Sequence, residues 1–356
     1  MKNNKNKKMN TIAKLLKDAR LSKNLSLKEV SEAIGIDYTL FSRYESGSRV
    51  PSKNQLESIA NYYGVDAKKL VLQWLSEKIY QEIKDEEYGL EALQLAESRV
   101  AYKSKLFNNN TLIKQADELK AQLDQKRPLS KAHLAKLMDY YKVEYTYDSN
   151  RIEGNTMTLK ETALVIEKGL TISGKSVREH FETVNHAEAI DMLFELINNA
   201  APLNEYLVKQ IHGLILRGID KENAGKYRDV NVRISGSKHF PPEPYLLSKL
   251  MEDYFLFYNE NKARMHPIVL AAEMHERLVT IHPFIDGNGR TARLVMNLVL
   301  MQAGYPITNI SSEKDSRLHY YETLEMAQTK HNKAPFIEFV FNNVIYALTD
   351  FLKMTN

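Results

Sequence analysis

The 356-residue sequence predicts a mainly α-helical protein with a single β-hairpin, organised as two or three domains. Three observations predict this. Apolar residues recur at helical spacing along most of the chain, punctuated by Ser or Asp at helix starts and Gly at helix ends. A charged, amphipathic stretch separates a small front unit from a larger remainder. One segment alternates instead: Val230, Val232 and Ile234 interleave with polar residues at the period of a strand.

Residues 1–10, with Lys2, Lys5, Lys7 and Lys8, read as a disordered basic tail. Residues 11–76 read as five helices at about 11–23, 27–34, 38–46, 53–64 and 67–75. Ser26, Asp37 and Ser52 are placed as N-caps, and Gly35, Gly47 and Gly64 as stops. The short Gly35-Ile36 turn predicts a helix-turn-helix. Residues 1–76 hold fourteen Lys/Arg against seven Asp/Glu, a net of +7; the whole chain is +4, so the remainder is −3. Positive charge thus concentrates where phosphate contact is expected. Residues 77–127 read as a helical linker of solvated, amphipathic helices, broken at Asn108-Asn109-Asn110. Residues 128–356 read as the second domain. Its tyrosines Tyr140, Tyr141, Tyr145 and Tyr147, and its His212 and His275, are expected to serve packing.

The densest chemistry lies in His282-Pro283-Phe284-Ile285-Asp286-Gly287-Asn288-Gly289-Arg290-Thr291-Ala292-Arg293. Glycines around Asn288 permit a tight turn into an apolar helix, whose free backbone N–H groups bind anions. Asp286 suits Mg²⁺, a hard ion that prefers oxygen ligands and keeps substrate phosphates in its shell. Arg290 and Arg293 share a helix face and can clamp phosphate oxygens. His282 is suited to take a proton from an attacking hydroxyl near neutral pH. Each element alone is weak; together they point to chemistry on a nucleoside triphosphate.

This run resembles the Fic family signature, His-Pro-Phe-x-Asp-Gly-Asn-Gly-Arg-x-x-Arg, at every defined position. The resemblance implies an all-α Fic fold with a hairpin flap, and transfer of AMP from ATP to a protein Ser, Thr or Tyr hydroxyl, the protein's own included. It implies His282 as the base and Asp286 as the ligand of a Mg²⁺ bridging the α- and β-phosphates. Gly287, Asn288 and Gly289 would form the anion hole, with Arg290 and Arg293 on the β- and γ-phosphates. Phosphotransferase relatives of the Doc type carry Lys where Gly289 stands. The segment 225–236 resembles the family's flap, with Val232, Arg233, Ile234 and Ser235 facing an extended target segment. In the helix Tyr320 to Gln328, the stripe Tyr320, Leu324 and Gln328 matches the family's adenine-side helix, often with Asn where Gln328 stands.

Ser149-Asn150-Arg151-Ile152-Glu153-Gly154 resembles the family's inhibitory motif, [Ser/Thr]-x-x-x-Glu-[Gly/Asn]. The resemblance implies that Glu153 pairs with Arg293, with Ser149 alongside, so that ATP binds in a pose unfit for transfer. Lying ahead of the core, the motif resembles that of class II. In some relatives this Glu also positions water to remove AMP. Residues 37–53 in turn resemble the phage-repressor (XRE-type) family. That implies Tyr38, Thr39, Ser42 and Arg43 at DNA bases, Arg49 and Lys53 at phosphate, an Arg20–Glu45 lock, and a dimer on DNA.

The chain has no cysteine, which excludes disulfides and thiolate metal sites, and no apolar run of membrane length. A cytoplasmic location is expected. The leading reading is an autoinhibited protein adenylyltransferase with a DNA-binding head. Two others are a transferase using another nucleotide, and a transcriptional repressor whose second domain chiefly senses ATP.

Overall fold

The computed structural model describes residues 12–93, 96, 110–199 and 201–355. The basic tail expected at 1–10 lies outside them. The chain divides into two compact units, residues 1–97 and 98–356. The described residues are helical and contain no strand, so the mainly α class is as the apolar spacing predicts. No helix among them is long and apolar enough to cross a membrane.

In the first unit, α1 (Ile12–Ser22), α2 (Leu27–Ile34), α3 (Tyr38–Ser46), α4 (Lys53–Tyr63) and α5 (Ala67–Ile83) enclose a core that includes Leu16, Val30, Phe41, Leu56, Ile59 and Tyr63. Ser26 and Ser52 form capping boxes with Glu29 and Gln55, and Asp37 caps α3. Gly35 stops α2 at φ 68°, a left-handed conformation that costs glycine nothing, and α3 begins three residues later. Arg20 grips Glu45 with two bonds, Nε to Oε1 at 2.8 Å and Nη2 to Oε2 at 2.9 Å, tying α1 to α3. On α3, Tyr38, Thr39 and Arg43 are exposed and Ser42 is half-buried.

The second unit is built around α13 (Asn288–Gln302), buried over nearly its whole length. It is surrounded by α7 (Lys131–Ile152), α9 (Val177–Asn198), α10 (Glu205–Ile215) and α12 (Pro267–Ile281). α8 (Leu159–Lys168) packs on α7 and α9, and α11 (Leu247–Asn261) on α12. α15 (Ala334–Met354) packs against α12, α14 (Lys314–Lys330) and α6 (Asn110–Gln125). A helix wrapped on all sides tends to be apolar all round. Leu294 to Met301 follow that but for Asn297, whose amide donates to the Arg293 and Thr308 carbonyls; the polar residues gather in the first turns.

Two expectations change. Where described, the segment 77–127 is mostly exposed, as expected, but one stripe of its end is buried. Its start continues α5, whose Leu70 is in the first core, and its end forms α6, whose Ala116 and Leu123 are fully buried in the second. The expected hairpin also carries no strand. Its second arm contains Pro241 and Pro242, which lack the N–H that a ladder requires. Side chains hold the arms together instead. Arg228 donates to the carbonyls of Val230 (2.9 Å) and Pro242 (2.6 Å), and the Arg233 guanidinium lies 3.9 Å from the Phe240 ring centre. The Ser237 amide closes the turn onto the Ile234 carbonyl. Among the described residues, the backbone amides of 229–236 donate no hydrogen bond.

Candidate active site

The loop between α12 and α13 is shaped from within. His282 ends α12 in the left-handed region (φ 51°), and Gly287 takes φ 78° to start α13. The Asn288 side chain closes the loop on itself, accepting from the Phe284 amide (3.0 Å) and donating to the Phe284 carbonyl (2.9 Å). Its amide group is therefore committed to the loop, and only its backbone N–H remains for an anion. Phe284 stacks on His212 at 3.6 Å between ring centres. Gly225 N–H donates to His212 Nδ1, so Nε2 must carry the proton it gives to the Asp286 carbonyl. Arg228 completes the frame. Its backbone N–H donates to the Pro283 carbonyl and its Nε to the His282 carbonyl at 2.8 Å.

His282 presents the right nitrogen for a base. Its Nδ1 donates to the Val279 carbonyl at 3.2 Å, which leaves Nε2 as the acceptor. Burial pushes its pKa down to about 4, and the nearby Arg228 charge adds to this. The ring is therefore neutral at physiological pH and able to accept a proton.

The first three amides of α13 lack intrahelical acceptors, as at any helix start. Beneath them lie two buried guanidiniums. Arg290, 2% exposed, gives Nη2 to Asp286 Oδ1 at 3.2 Å, and its Nη1 lies 3.5 Å from Glu182 Oε1. Its Nε and Nη1 have no hydrogen-bond partner among the described residues. A buried charged donor without an acceptor is costly, and its presence beside an open helix N-terminus marks a place for an anion. Arg293, 1% exposed, is fully engaged. It donates to Ser149 Oγ (3.1 Å), the Ser149 carbonyl (2.8 Å), Tyr320 Oη (3.4 Å) and Glu153 Oε1 (2.8 Å). Burial opposes the Arg293 charge, but the adjoining Glu153 carboxylate outweighs it and raises the pKa.

Glu153 is the C-cap of α7, and Gly154 follows at φ 102°. The helix-end role and the ion pair therefore coexist. Its carboxylate rests on the start of α13: a Cβ built on Gly289 would fall 2.2 Å from Glu153 Oε1. Any larger residue at 289 would push the carboxylate aside from this position. Tyr321 Oη donates to the Ile152 carbonyl at 2.9 Å and holds the turn that carries Glu153.

A pocket of about 480 Å³ opens between this constellation, the turn at Ser235-Gly236-Ser237 and α14. His282, Glu153, Gly289, Tyr321, Leu324 and Gln328 border it. Tyr320 also borders it but is buried, its hydroxyl between Arg293 and His275 Nε2. Ile234 and Ser235 face the pocket, while Val232 and Arg233 do not line it. Lys238 reaches from this turn to Glu325 on α14 at 2.9 Å. Asp286 stands alone as the acid at the loop. Among the described residues, no three His, Cys, Asp or Glu cluster as metal ligands. Burial raises its pKa, but Arg290, the Gly287 amide and Arg178 together outweigh this and hold it below the ordinary carboxylate range.

Residues 202–300 match the Fic/DOC family and residues 11–71 match a helix-turn-helix domain. The two matches put a Fic/DOC domain and a helix-turn-helix domain in one chain. Protein adenylyltransferase Fic of Drosophila persimilis is 35% identical over 269 residues, 72% of this chain and 51% of that protein. The protein of the same name from Nematostella vectensis is 37% identical over 64% of this chain and 54% of its own length. The chain therefore spans about half the length of the curated relatives it matches. Among solved structures, a Fic-domain-containing signalling protein from Bacteroides thetaiotaomicron has a TM-score of 0.63 at 27% identity, covering 68% of this chain and 96% of that one. Fic-1 from C. elegans has a TM-score of 0.63 over 97% of this chain and 98% of that one; at 23% identity it shows the fold alone.

In the second unit, four residues shape the site beyond the motifs: Arg178, Arg228 and Tyr321, which did not stand out in the sequence, and His212, which was expected only to pack. His212 and Arg228 lie near motif residues in space but far from them along the chain. Only the turn-forming Gly225 and the segment after it hinted at them.

Proposed function

We propose that this chain is an autoinhibited protein adenylyltransferase that moves AMP from ATP to a Ser, Thr or Tyr hydroxyl of a protein, itself included. The observation that carries this reading is the Glu153–Arg293 pair. It lies on the N-terminus of α13, in the pocket that His282 borders and on the helix that carries Arg290, whose Nε has no hydrogen-bond partner among the described residues. His282 Nε2 takes the proton of the target hydroxyl. That oxygen bonds to the α-phosphorus, the bond to the bridging oxygen breaks, and pyrophosphate leaves. Arg290, Arg293 and the amides of Asn288 and Gly289 hold its charge, so catalysis is mostly positioning and charge stabilisation. A lone carboxylate fits Mg²⁺, which takes its other ligands from water and substrate phosphates. Asp286 would hold the ion, whose charge supports the departing phosphates. Leu324, Gln328 and Tyr321 form the adenine side. Val232 to Ser235, with undonated amides, form the edge that an extended target pairs with.

Glu153 is the brake, occupying the guanidinium that the γ-phosphate requires. A hydrogen bond to a charged partner contributes about 1.5–3 kcal/mol. Glu153 is 37% exposed, and screening discounts that figure toward its lower end. Glu153→Gly should therefore raise AMP transfer about tenfold or more, and His282→Ala should abolish it. Incubation of the three proteins with ATP and Mg²⁺, followed by mass spectrometry, reads donor, base and brake together. Equal labelling by wild type and Glu153→Gly sinks the brake. In the head, exposed Tyr38, Thr39 and Arg43, with Ser42, read DNA as a dimer. A second reading, an ATP-sensing repressor, is favoured by one observation: the fully engaged Arg293. Footprinting with and without ATP separates the two.

A further inference from the structure

Asp286, the carboxylate assigned to the metal, already carries a cation on each oxygen. Oδ1 receives Arg290 Nη2 and the Gly287 amide. Oδ2 receives Arg178 Nη2 at 2.5 Å. The two guanidiniums differ in kind. Arg290 is buried, while the Arg178 side chain is 57% exposed and projects from the first turn of α9. A cation there faces the positive end of the helix, where acids are favoured, so α9 gains nothing from it. What holds Arg178 is Glu182, one turn on, with Oε1 3.1 Å from Nε, together with Asp286 itself.

We infer that Arg178 is a built-in competitor for the divalent cation: its guanidinium holds Asp286 Oδ2 and weakens the binding of an ion there until it swings aside. The inference rests on the proposed assignment of Asp286 as metal ligand. A Mg²⁺ or Mn²⁺ ion approaches a carboxylate oxygen to about 2.1 Å and brings a shell of water. A guanidinium 2.5 Å away takes one of the two lone pairs of that oxygen and offsets the charge that would attract the ion. Because Arg178 is an exposed side chain, its hold is that of a surface ion pair. It sets a threshold for the ion and does not close the site. The nucleotide arrives with its own divalent ion, so Arg178 would raise the ion concentration the enzyme needs, independently of Glu153.

The test is binding of Mn²⁺ to the full chain without nucleotide, read from the free-ion signal in electron paramagnetic resonance. Arg178→Gln should bind Mn²⁺ about threefold more tightly than wild type. Arg178→Lys, which keeps the charge, should stay at the wild-type value. Asp286→Asn should lose the site. Unchanged or weaker binding by Arg178→Gln, or equal tightening by the Lys variant, overturns the inference, as does absence of Mn²⁺ binding in every variant. If Asp286→Asn binds as wild type does, the metal assignment falls and takes the inference with it. If Asp286→Asn loses the ion while Arg178→Gln changes nothing, the inference alone fails. Thermal midpoints of each variant register any loss of folding.

Discussion

Tyr321→Phe keeps the ring that borders the pocket and deletes the hydroxyl that donates to the Ile152 carbonyl at 2.9 Å. Carbonyls in the last turn of a helix lack helical donors, and this one immediately precedes Glu153. A neutral hydrogen bond contributes a net of about 0.5–1.5 kcal/mol. Losing it should weaken the hold on Glu153 about two- to twelvefold and raise AMP transfer by the same factor. The assay is the initial rate of AMP incorporation at saturating ATP, followed by intact mass. It is run for wild type, Tyr321→Phe, Glu153→Gly and the double variant. Residues acting through one contact are non-additive in such a cycle. The hydroxyl should therefore matter with Glu153 present and change the rate less than about twofold without it. An equal gain in both backgrounds would mean that Tyr321 acts on the nucleotide. No gain in either would mean that the end of α7 is held by other contacts. Either result refutes the reasoning.

Further outcomes follow from buried charge. His282 titrates at about 4 rather than near its ordinary 6.5, so the base is neutral at every pH above about 4. Transfer by Glu153→Gly should hold from pH 7 down to pH 5, and a loss centred near 6.5 contradicts this. Burial depresses His212 to about 4 and His275 to about 3, and places His186 well below its ordinary value. Their folded pKa values lie below the unfolded value. The stability they contribute is therefore complete above about pH 6.5 and is lost as pH falls toward 4 and 3. The slope reaches about 1.4 kcal/mol per pH unit for each histidine. Urea midpoints at pH 7 and pH 5 measure it, and equal midpoints count against it. In the head, Glu45→Ala leaves the buried Arg20 guanidinium without its carboxylate, with only the Leu25 carbonyl still accepting from it, at a cost of about 3 kcal/mol. Hydrogen exchange should quicken in peptides of residues 12–83 and stay unchanged in those of 110–355.

The helices were legible because their ends are written locally: Ser26, Asp37 and Ser52 cap the helices they precede. The hairpin was not, because Val230, Val232 and Ile234 state only half of a pairing, and Pro241 and Pro242 deny the other half. The place of α6 was written in its spacing. Leu112, Ala116, Leu119 and Leu123 follow one stripe into the core, but surrounding Lys and Glu made it read as solvated. In the site, the signature lists residues by type and cannot say which atoms are already engaged. The Asn288 side chain is engaged within the loop, whereas Arg290 has two donors to spare. Arg178 and Tyr321 did not stand out, since each reaches the site through a partner more than a hundred positions away along the chain.

The clasp between Asn288 and Phe284 has a consequence for control. A loop buttoned to its own backbone on both sides is a rigid cup, moulded before any guest arrives. Little remains for a guest to reshape. On the proposed reading, regulation would be a contest over who sits in the cup, with two sitters already tethered there: a carboxylate on the α13 N-terminus and a guanidinium on Asp286. Such tenants are evicted by concentration. An enzyme of this design would register the local abundance of nucleotide and divalent ion, with its thresholds set by how firmly each tenant is leashed.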